Sequence, residues 1–197
     1  MYKRIGIFAG TFDPVHAGHI AFALQAIKTA ELDRVYFMPE RRPRNKQSVE
    51  HYAHRVAMLK QAFRPHPLVQ VLEFVDINFS VDRTLPKIKA LFPGDDVVLL
   101  FGSDVISGVS QWPNASVLLQ NCSFVIGLRG KDSSEQIEKV IRAWPSSDKT
   151  RYIISSYAPS VSSSAVRQAL RGRSSTRGIL RSVERYSNKH WLYISLA

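Results

Sequence analysis

The stretch that most restricts how this chain can fold is Gly10-Thr11-Phe12-Asp13-Pro14-Val15-His16-Ala17-Gly18-His19. It lies between an apolar run, Ile5-Gly6-Ile7-Phe8-Ala9, and a segment over 20–30 with helical spacing. Strand, glycine-containing turn and helix in that order leave backbone N–H groups and a helix N-terminus at one point, an arrangement that holds phosphate. His16 and His19 are three residues apart, so both rings reach the same side of the first helical turn. An imidazole N–H donates to a phosphate oxygen, and a protonated ring adds neutralising charge. Taken alone, His-x-x-His also fits a metal pair or an incidental helix cap. Two donors at a helix start suit a triphosphate under attack at its α-phosphorus, where positioning and electrostatics stabilise the developing charge.

Strand-like and helix-like stretches alternate through the remainder, which predicts a parallel sheet with helices on both faces. Strands are expected over 34–38, 68–74, 97–101, 123–128 and 151–155, and helices over 51–63 and 133–144. The run 97–101 is apolar throughout, as in a central strand buried on both faces. At 197 residues, without an internal repeat, one domain over 1–197 is expected. No segment approaches the roughly 20 apolar residues that span a bilayer. The single cysteine, Cys122, supports neither a disulfide framework nor a cysteine metal site. With no signal-peptide pattern at the start, a cytoplasmic protein is expected.

Charge is unevenly spread: 27 basic residues face 16 acidic ones, a net +11. Arg41, Arg42, Arg44 and Lys46 form one cluster, and Arg167, Arg171, Arg173, Arg177, Arg181, Arg185 and Lys189 another. This balance suits anionic partners, nucleotide or nucleic acid. The late segment lacks the interleaved aromatics of a single-strand platform, so nucleic acid is not the expected partner.

Two further motifs bear on the first. Gly102-Ser103-Asp104 ends the apolar central strand, the end at which open α/β sheets bind ligands. Asp104 suits ribose hydroxyls or the adenine side of a nucleotide, or caps the next helix. Val161-Ser162-Ser163-Ser164-Ala165-Val166-Arg167 opens a late helix. Serines there cap the helix and donate to phosphate, and Arg167, one turn on, reaches the same anion.

Gly-Thr-Phe-Asp-Pro-x-His-x-Gly-His resembles the T/H-x-G-H signature of the nucleotidyltransferase superfamily, closest to its pyridine-mononucleotide and phosphopantetheine adenylyltransferases. The late serines resemble the superfamily's second signature, Ile-Ser-Ser-Thr/Ser-x-x-Arg/Lys. The segment 178–193, with Leu192-Tyr193, resembles the closing helix of the bacterial nicotinate-mononucleotide type, so the resemblance spans the chain. Some stretches match only in part. Pro39, Pro43 and Lys46 fit the family's Pro-x-x-x-Pro-Pro-His-Lys, whereas Arg44 and Asn45 depart from it. Phe79-Ser-Val-Asp-Arg-Thr84-Leu85 matches Ser-Tyr-Thr-x-x-Thr-Leu at Thr84-Leu85 but has Ser80 and Val81 where Tyr and Thr stand. His54-Arg55 and Met58-Leu59 resemble Asp-Arg-x-x-Met-Leu, with Arg55 expected to pair with a neighbouring carboxylate.

The resemblance implies an α/β fold: a Rossmann-like, doubly wound parallel sheet of the nucleotidyltransferase type with a C-terminal helical extension. It implies transfer of the adenylyl group of ATP to the phosphate of nicotinate or nicotinamide mononucleotide in NAD biosynthesis, with pyrophosphate released. On this reading His16, His19 and Arg167 are catalytic. Gly10, Thr11, Phe12, Gly18, Gly102, Asp104, Arg129, Ser163 and Ser164 hold ATP. Lys46, Thr84 and Trp112 hold the acceptor, with Trp112 against the pyridine ring; a packing role for this tryptophan is the plainer alternative. Mg2+ is expected on the triphosphate rather than in a protein cage. Phosphopantetheine or another phosphate-bearing acceptor remains an alternative, as does a basic nucleotide-binding protein, and a homo-oligomer is left open.

Overall fold

The computed structural model describes residues 2–43, 46, 48–130, 132–145, 150–155, 161–172, 174 and 177–194. Its elements, in chain order, are β1 (Arg4–Gly10), α1 (Ala17–Thr29), β2 (Arg34–Pro39), α2 (Tyr52–Ala62), β3 (Val69–Val71), α3 (Thr84–Leu91) and β4 (Asp96–Gly102). They continue with α4 (Ser103–Val109), α5 (Ala115–Asn121), β5 (Ser123–Gly127), α6 (Ser134–Arg142), β6 (Arg151–Ser155), α7 (Ser163–Arg171) and α8 (Arg181–Lys189). The six strands form one sheet in the order β3-β2-β1-β4-β5-β6, and each neighbouring pair is parallel. This is the doubly wound arrangement expected from the alternation. Strand order reverses between β1 and β4, which opens a crevice at their carboxyl ends.

The two-residue period of a strand sorts its side chains to opposite faces. Phe8, Val98, Leu100 and Val125 point into a core shared with α1, α2, α7 and α8. Ile5, Ile7, Val97, Leu99, Phe101, Phe124 and Ile126 point into the other, with α3 to α6. Burial on both faces explains why 97–101 reads as unbroken apolar sequence. Gly6 lies where a Cβ would come within 2.9 Å of the Leu32 and Val35 side chains, so a side chain there would push the covering layer off β1. No described helix is long and apolar enough to cross a membrane.

The largest departure from expectation is the third strand, which covers Val69–Val71 rather than 68–74. Its last ladder bond is donated by Leu72 N to Phe37 O. Beyond it, Glu73 pairs with Lys60 and Phe74 O accepts from Arg41 Nε, contacts that draw the chain off the sheet edge. The helix expected over 133–144 begins one residue later. Ser133 Oγ accepts from Gln136 N and Gln136 Oε1 accepts from Ser133 N, the reciprocal pair of a capping box.

Candidate active site

The loop after β1 carries the first motif into the crevice. His16, in extended conformation, precedes α1, and its backbone N–H donates to His19 Nδ1 at 3.2 Å. The two rings stack with centroids 3.7 Å apart and planes 25° from parallel. Because His19 Nδ1 accepts, its proton sits on Nε2, the atom left to donate. Phe12 has a φ of 50°, a left-handed backbone that tucks its ring into the core. The ring meets His19 edge-on at 5.2 Å and Phe8 at 5.3 Å. It also comes close beneath Gly10, where a Cβ would lie 3.0 Å from it.

These groups line a cavity of about 480 Å³ at the carboxyl ends of β1 and β4. Gly10, Thr11, Phe12, His16 and His19 form one wall, Gly102, Asp104 and Arg129 another, and Ser163, Ser164 and Arg167 a third. Two sequence motifs more than 140 residues apart thus meet around one space. Ser162, at the same wall, provides the helix cap by accepting from Ala165 N at 3.2 Å. That leaves Ser163 to donate to Pro14 O at 3.0 Å and Ser164 to accept from Arg167 Nη2 at 3.1 Å. Arg129 Nε lies 3.4 Å from Asp104 Oδ1, and Ser103 Oγ accepts from Arg129 N at 2.9 Å. Asp104 lies in the first turn of α4 but makes no cap bond. Gly18, buried in the first turn of α1, is not among the lining residues.

Burial and the neighbouring charges favour the neutral form of both histidine rings over the cationic one. Burial, reinforced by the Arg129 charge, takes His16 from 6.5 to about 4. Burial again leads for His19, with His16, Arg129 and Lys46 adding to it, and its pKa falls well below 6.5. The rings therefore offer N–H dipoles, while Lys46, Arg129 and Arg167 supply the positive charge. An unfolded chain protonates these histidines below pH 6.5 and the folded one does not, so stability falls as pH drops through that value. His16 alone accounts for about 3 kcal/mol between pH 6.5 and about 4. Urea unfolding without added phosphate should lose about 2 kcal/mol from pH 7 to 5 through this ring. His16→Asn should remove that part of the slope. Equal slopes for both proteins would refute the neutral assignment.

Lys46 lines the large cavity, where its Nζ donates to Thr11 Oγ1 at 3.0 Å, with burial the first cause of its lowered pKa. Arg44 and Asn45, where the sequence departs from the family pattern, lie outside the described residues. Trp112 lines a second, smaller cavity of about 160 Å³ with Phe79, Ser80, Val81, Asp82, Arg83 and Pro113. Its ring meets Phe101 edge-on at 5.6 Å, and Phe101 lines the large cavity, so one ring contact separates the walls of the two spaces.

Thr84 is a correction. Its side chain is fully buried, accepts from Ser80 N at 3.1 Å and donates to Asp76 at 3.1 Å. It braces the turn beneath the small cavity instead of reaching a ligand. Arg55 is another: four backbone carbonyls, not a carboxylate, receive its guanidinium bonds. Sequence reasoning passed over Asp13 and Tyr193, although both sit in quoted motifs. Asp13 is 3% exposed, and Tyr193 donates to its Oδ1 at 2.6 Å.

Comparison with known proteins agrees with this fold. The family model described as cytidylyltransferase-like matches residues 7–169. The nicotinate-nucleotide adenylyltransferase of Bacillus subtilis is 35% identical over 130 residues, 62% of this chain and 68% of that one. A probable nicotinate-nucleotide adenylyltransferase of Solibacter usitatus is 32% identical over 196 residues, 96% of this chain and 99% of that one. Among solved structures, Plasmodium falciparum nicotinic acid mononucleotide adenylyltransferase complexed with NaAD superposes with a TM-score of 0.81. It covers 100% of both chains at 20% identity, a likeness of fold.

Proposed function

This chain belongs to the cytidylyltransferase-like family, together with the nicotinate-nucleotide adenylyltransferases it resembles over its length, and on that premise we propose that it transfers the adenylyl group of ATP to the phosphate of nicotinate mononucleotide. The bond from an acceptor phosphate oxygen to the α-phosphorus forms, the α–β bridge breaks, and pyrophosphate leaves with a dinucleotide as the other product. The observation that carries the reading is the stacked His16–His19 pair facing Arg167 and Lys46 across one cavity.

A phosphate acceptor is already an anion at neutral pH, so no enzyme base is needed and neutral histidines are no obstacle. His19 Nε2–H, with His16 beside it, donates to the α-phosphoryl oxygens as charge grows there. Ser163, Ser164 and Arg167 hold the β- and γ-phosphates at the N-terminus of α7. Gly10 lets the backbone approach the phosphates, Thr11 and Lys46 lie between nucleotide and acceptor phosphate, and Gly102, Asp104 and Arg129 face the adenosine. Phe12 acts from below, as the ring on which His19 rests. Mg2+ would be held by phosphate oxygens and water, where its charge would offset that of the triphosphate. We place this activity in one domain and in the cytoplasm, the latter on the strength of a single, buried cysteine.

The small cavity suits a pyridine ring, with the Trp112 indole as its flat wall and Arg83 as a cation for the nicotinate carboxylate. Pyrophosphate release from ATP and Mg2+ tests the whole reading, with nicotinate mononucleotide, nicotinamide mononucleotide and phosphopantetheine as acceptors. The acid should react at least about tenfold better than the amide, a difference of about 1.4 kcal/mol. Silence with both pyridine nucleotides would sink the reading. Stacking of a ring is worth about 1–3 kcal/mol. Trp112→Ala should accordingly raise KM for the pyridine nucleotide about 10–100-fold while leaving KM for ATP in place. An unchanged acceptor KM would move the ring elsewhere.

A further inference from the structure

The segment after α8 reaches back to the first motif, and nothing in the proposed chemistry uses it. Tyr193 is 6% exposed and its hydroxyl donates to Asp13 Oδ1 at 2.6 Å. Its backbone φ of 61° is left-handed, a conformation that a bulky aromatic residue keeps only when its surroundings dictate it. The surroundings do so on two sides: the phenol is fixed by Asp13, and the Tyr193 N–H donates to Glu50 Oε1 at 3.4 Å. Glu50 N in turn donates to the same Asp13 Oδ1 at 3.3 Å.

Asp13 passes this restraint to the phosphate site. Its backbone carbonyl accepts from Arg167 Nη1 at 2.6 Å, and its other carboxylate oxygen lies 3.9 Å from that nitrogen. Arg167 Nη2 is fixed on the opposite side by Ser164 Oγ. These contacts occupy two of the five guanidinium donors and set the plane of the fork facing the cavity. A guanidinium that must meet a phosphate in one orientation loses much of its effect if that plane is free to turn.

We infer that Tyr193 is a positioning residue: acting through Asp13, it fixes the orientation in which Arg167 meets the triphosphate. The inference rests on the phosphate role proposed above for Arg167. Tyr193 does not touch the nucleotide. It removes the rotational freedom of a residue that does, and a buried aspartate, holding Tyr193 by its carboxylate and Arg167 by its backbone carbonyl, transmits the constraint. Asp13 faces Tyr193 and Glu50 on one side and Arg167 on the other, so no other link is required.

The test is a double-mutant cycle with Tyr193→Phe and Arg167→Lys, read in kcat for pyrophosphate release and in ATP affinity by titration calorimetry. Tyr193→Phe keeps the ring and removes only the hydroxyl. It should lower kcat about tenfold, with a smaller effect on the KM of the acceptor. In the Arg167→Lys background the same change should have little further effect, because a lysine has no fork for Asp13 to orient. A purely structural role for Tyr193 predicts independent losses that multiply. Multiplying losses, or Tyr193→Phe with kcat within twofold of wild type, would overturn the inference. If Tyr193→Phe fails to fold, Asp13→Ala replaces it in the cycle. That variant removes the acceptor of the phenol and keeps the backbone carbonyl that Arg167 binds, and its losses must likewise fail to multiply. Wild-type protein that binds ATP but uses no pyridine nucleotide would count against the proposed acceptor alone. The cycle would then be decided by ATP affinity, where multiplying losses overturn the inference.

Discussion

His19→Ala should cut turnover about 10²–10³-fold, the usual cost of removing one donor aimed at developing charge, while ATP binds within a few-fold of wild type. The asymmetry follows from geometry. The His19 proton sits on Nε2 because Nδ1 is occupied by the His16 N–H, and the ring is neutral, so it contributes little attraction to ATP at rest. On the proposed reading the ground-state phosphates are held by Arg167 with Lys46 beside them, both lining the same cavity. The ring would then add a preset dipole at the α-phosphorus, needed most in the transition state. Alanine also removes the stacking partner of His16 and the edge contact to Phe12. His19→Asn controls for that loss: its side-chain oxygen takes the place of Nδ1 as acceptor from the His16 N–H, but nothing replaces Nε2. It should recover stability and not turnover. Steady-state kinetics with ATP varied decide the matter, and weakened ATP binding with unchanged kcat would remove His19 from the chemistry.

The largest loss of stability should come from Arg55→Ala. Arg55 is fully buried on α2, with its charge met by carbonyl oxygens: Glu50 O at 2.9 Å, Thr11 O at 2.6 Å, Glu40 O at 2.8 Å and Arg41 O at 3.3 Å. One side chain thereby ties the loop after β1, the loop after β2 and the approach to α2. Removing it takes the guanidinium donors from several part-buried carbonyls, at up to about 1–3 kcal/mol each before relaxation, and leaves a void. A total of about 3–5 kcal/mol is expected, against a native stability on the order of 5–15 kcal/mol. Arg55→Lys should recover less than half, because a single ammonium cannot span four acceptors set by a planar fork. Urea unfolding measures both; Arg55→Ala within about 1 kcal/mol of wild type would contradict the account.

How far these features could be read in the chain depends on what kind of information each one needs. His16 and His19 were legible because helical periodicity alone puts residues three apart on one side. Ser163, Ser164 and Arg167 were legible as a helix start, and the sheet then brings that start to the histidines. Thr84 was not, because matching a motif assigns a position along the chain and not a direction, and here the hydroxyl turns inward to Ser80 and Asp76. Arg55 was placed in a structural role, but its partners are carbonyls, which every residue carries and which leave no mark in composition. The contact of Lys46 with Thr11 could not be read either, because it is made by a loop whose course no period specifies. The end of β3 escapes the sequence for a related reason: an edge strand stops where side-chain contacts draw it away, and Leu72-Glu73-Phe74 keeps the alternation that a strand would have.

The hydrogen bond from Tyr193 to Asp13 joins residues 180 positions apart, and it sits beside a second tie of the same kind, from Ala17 N to Gly178 O at 2.9 Å. During synthesis the chain leaves the ribosome N-terminus first, at about 5–20 residues per second. The loop that carries both histidines is thus exposed long before either partner exists. Over the roughly 160 residues that separate this loop from Gly178, some tens of seconds at slow elongation, the nascent chain has a β1 loop without its clamp. Full competence for adenylyl transfer should appear as a late step, timed by arrival of residue 193 and by closure of this long loop rather than by formation of the sheet. A ribosome that stalls short of that point would release a folded sheet with an unbraced arginine.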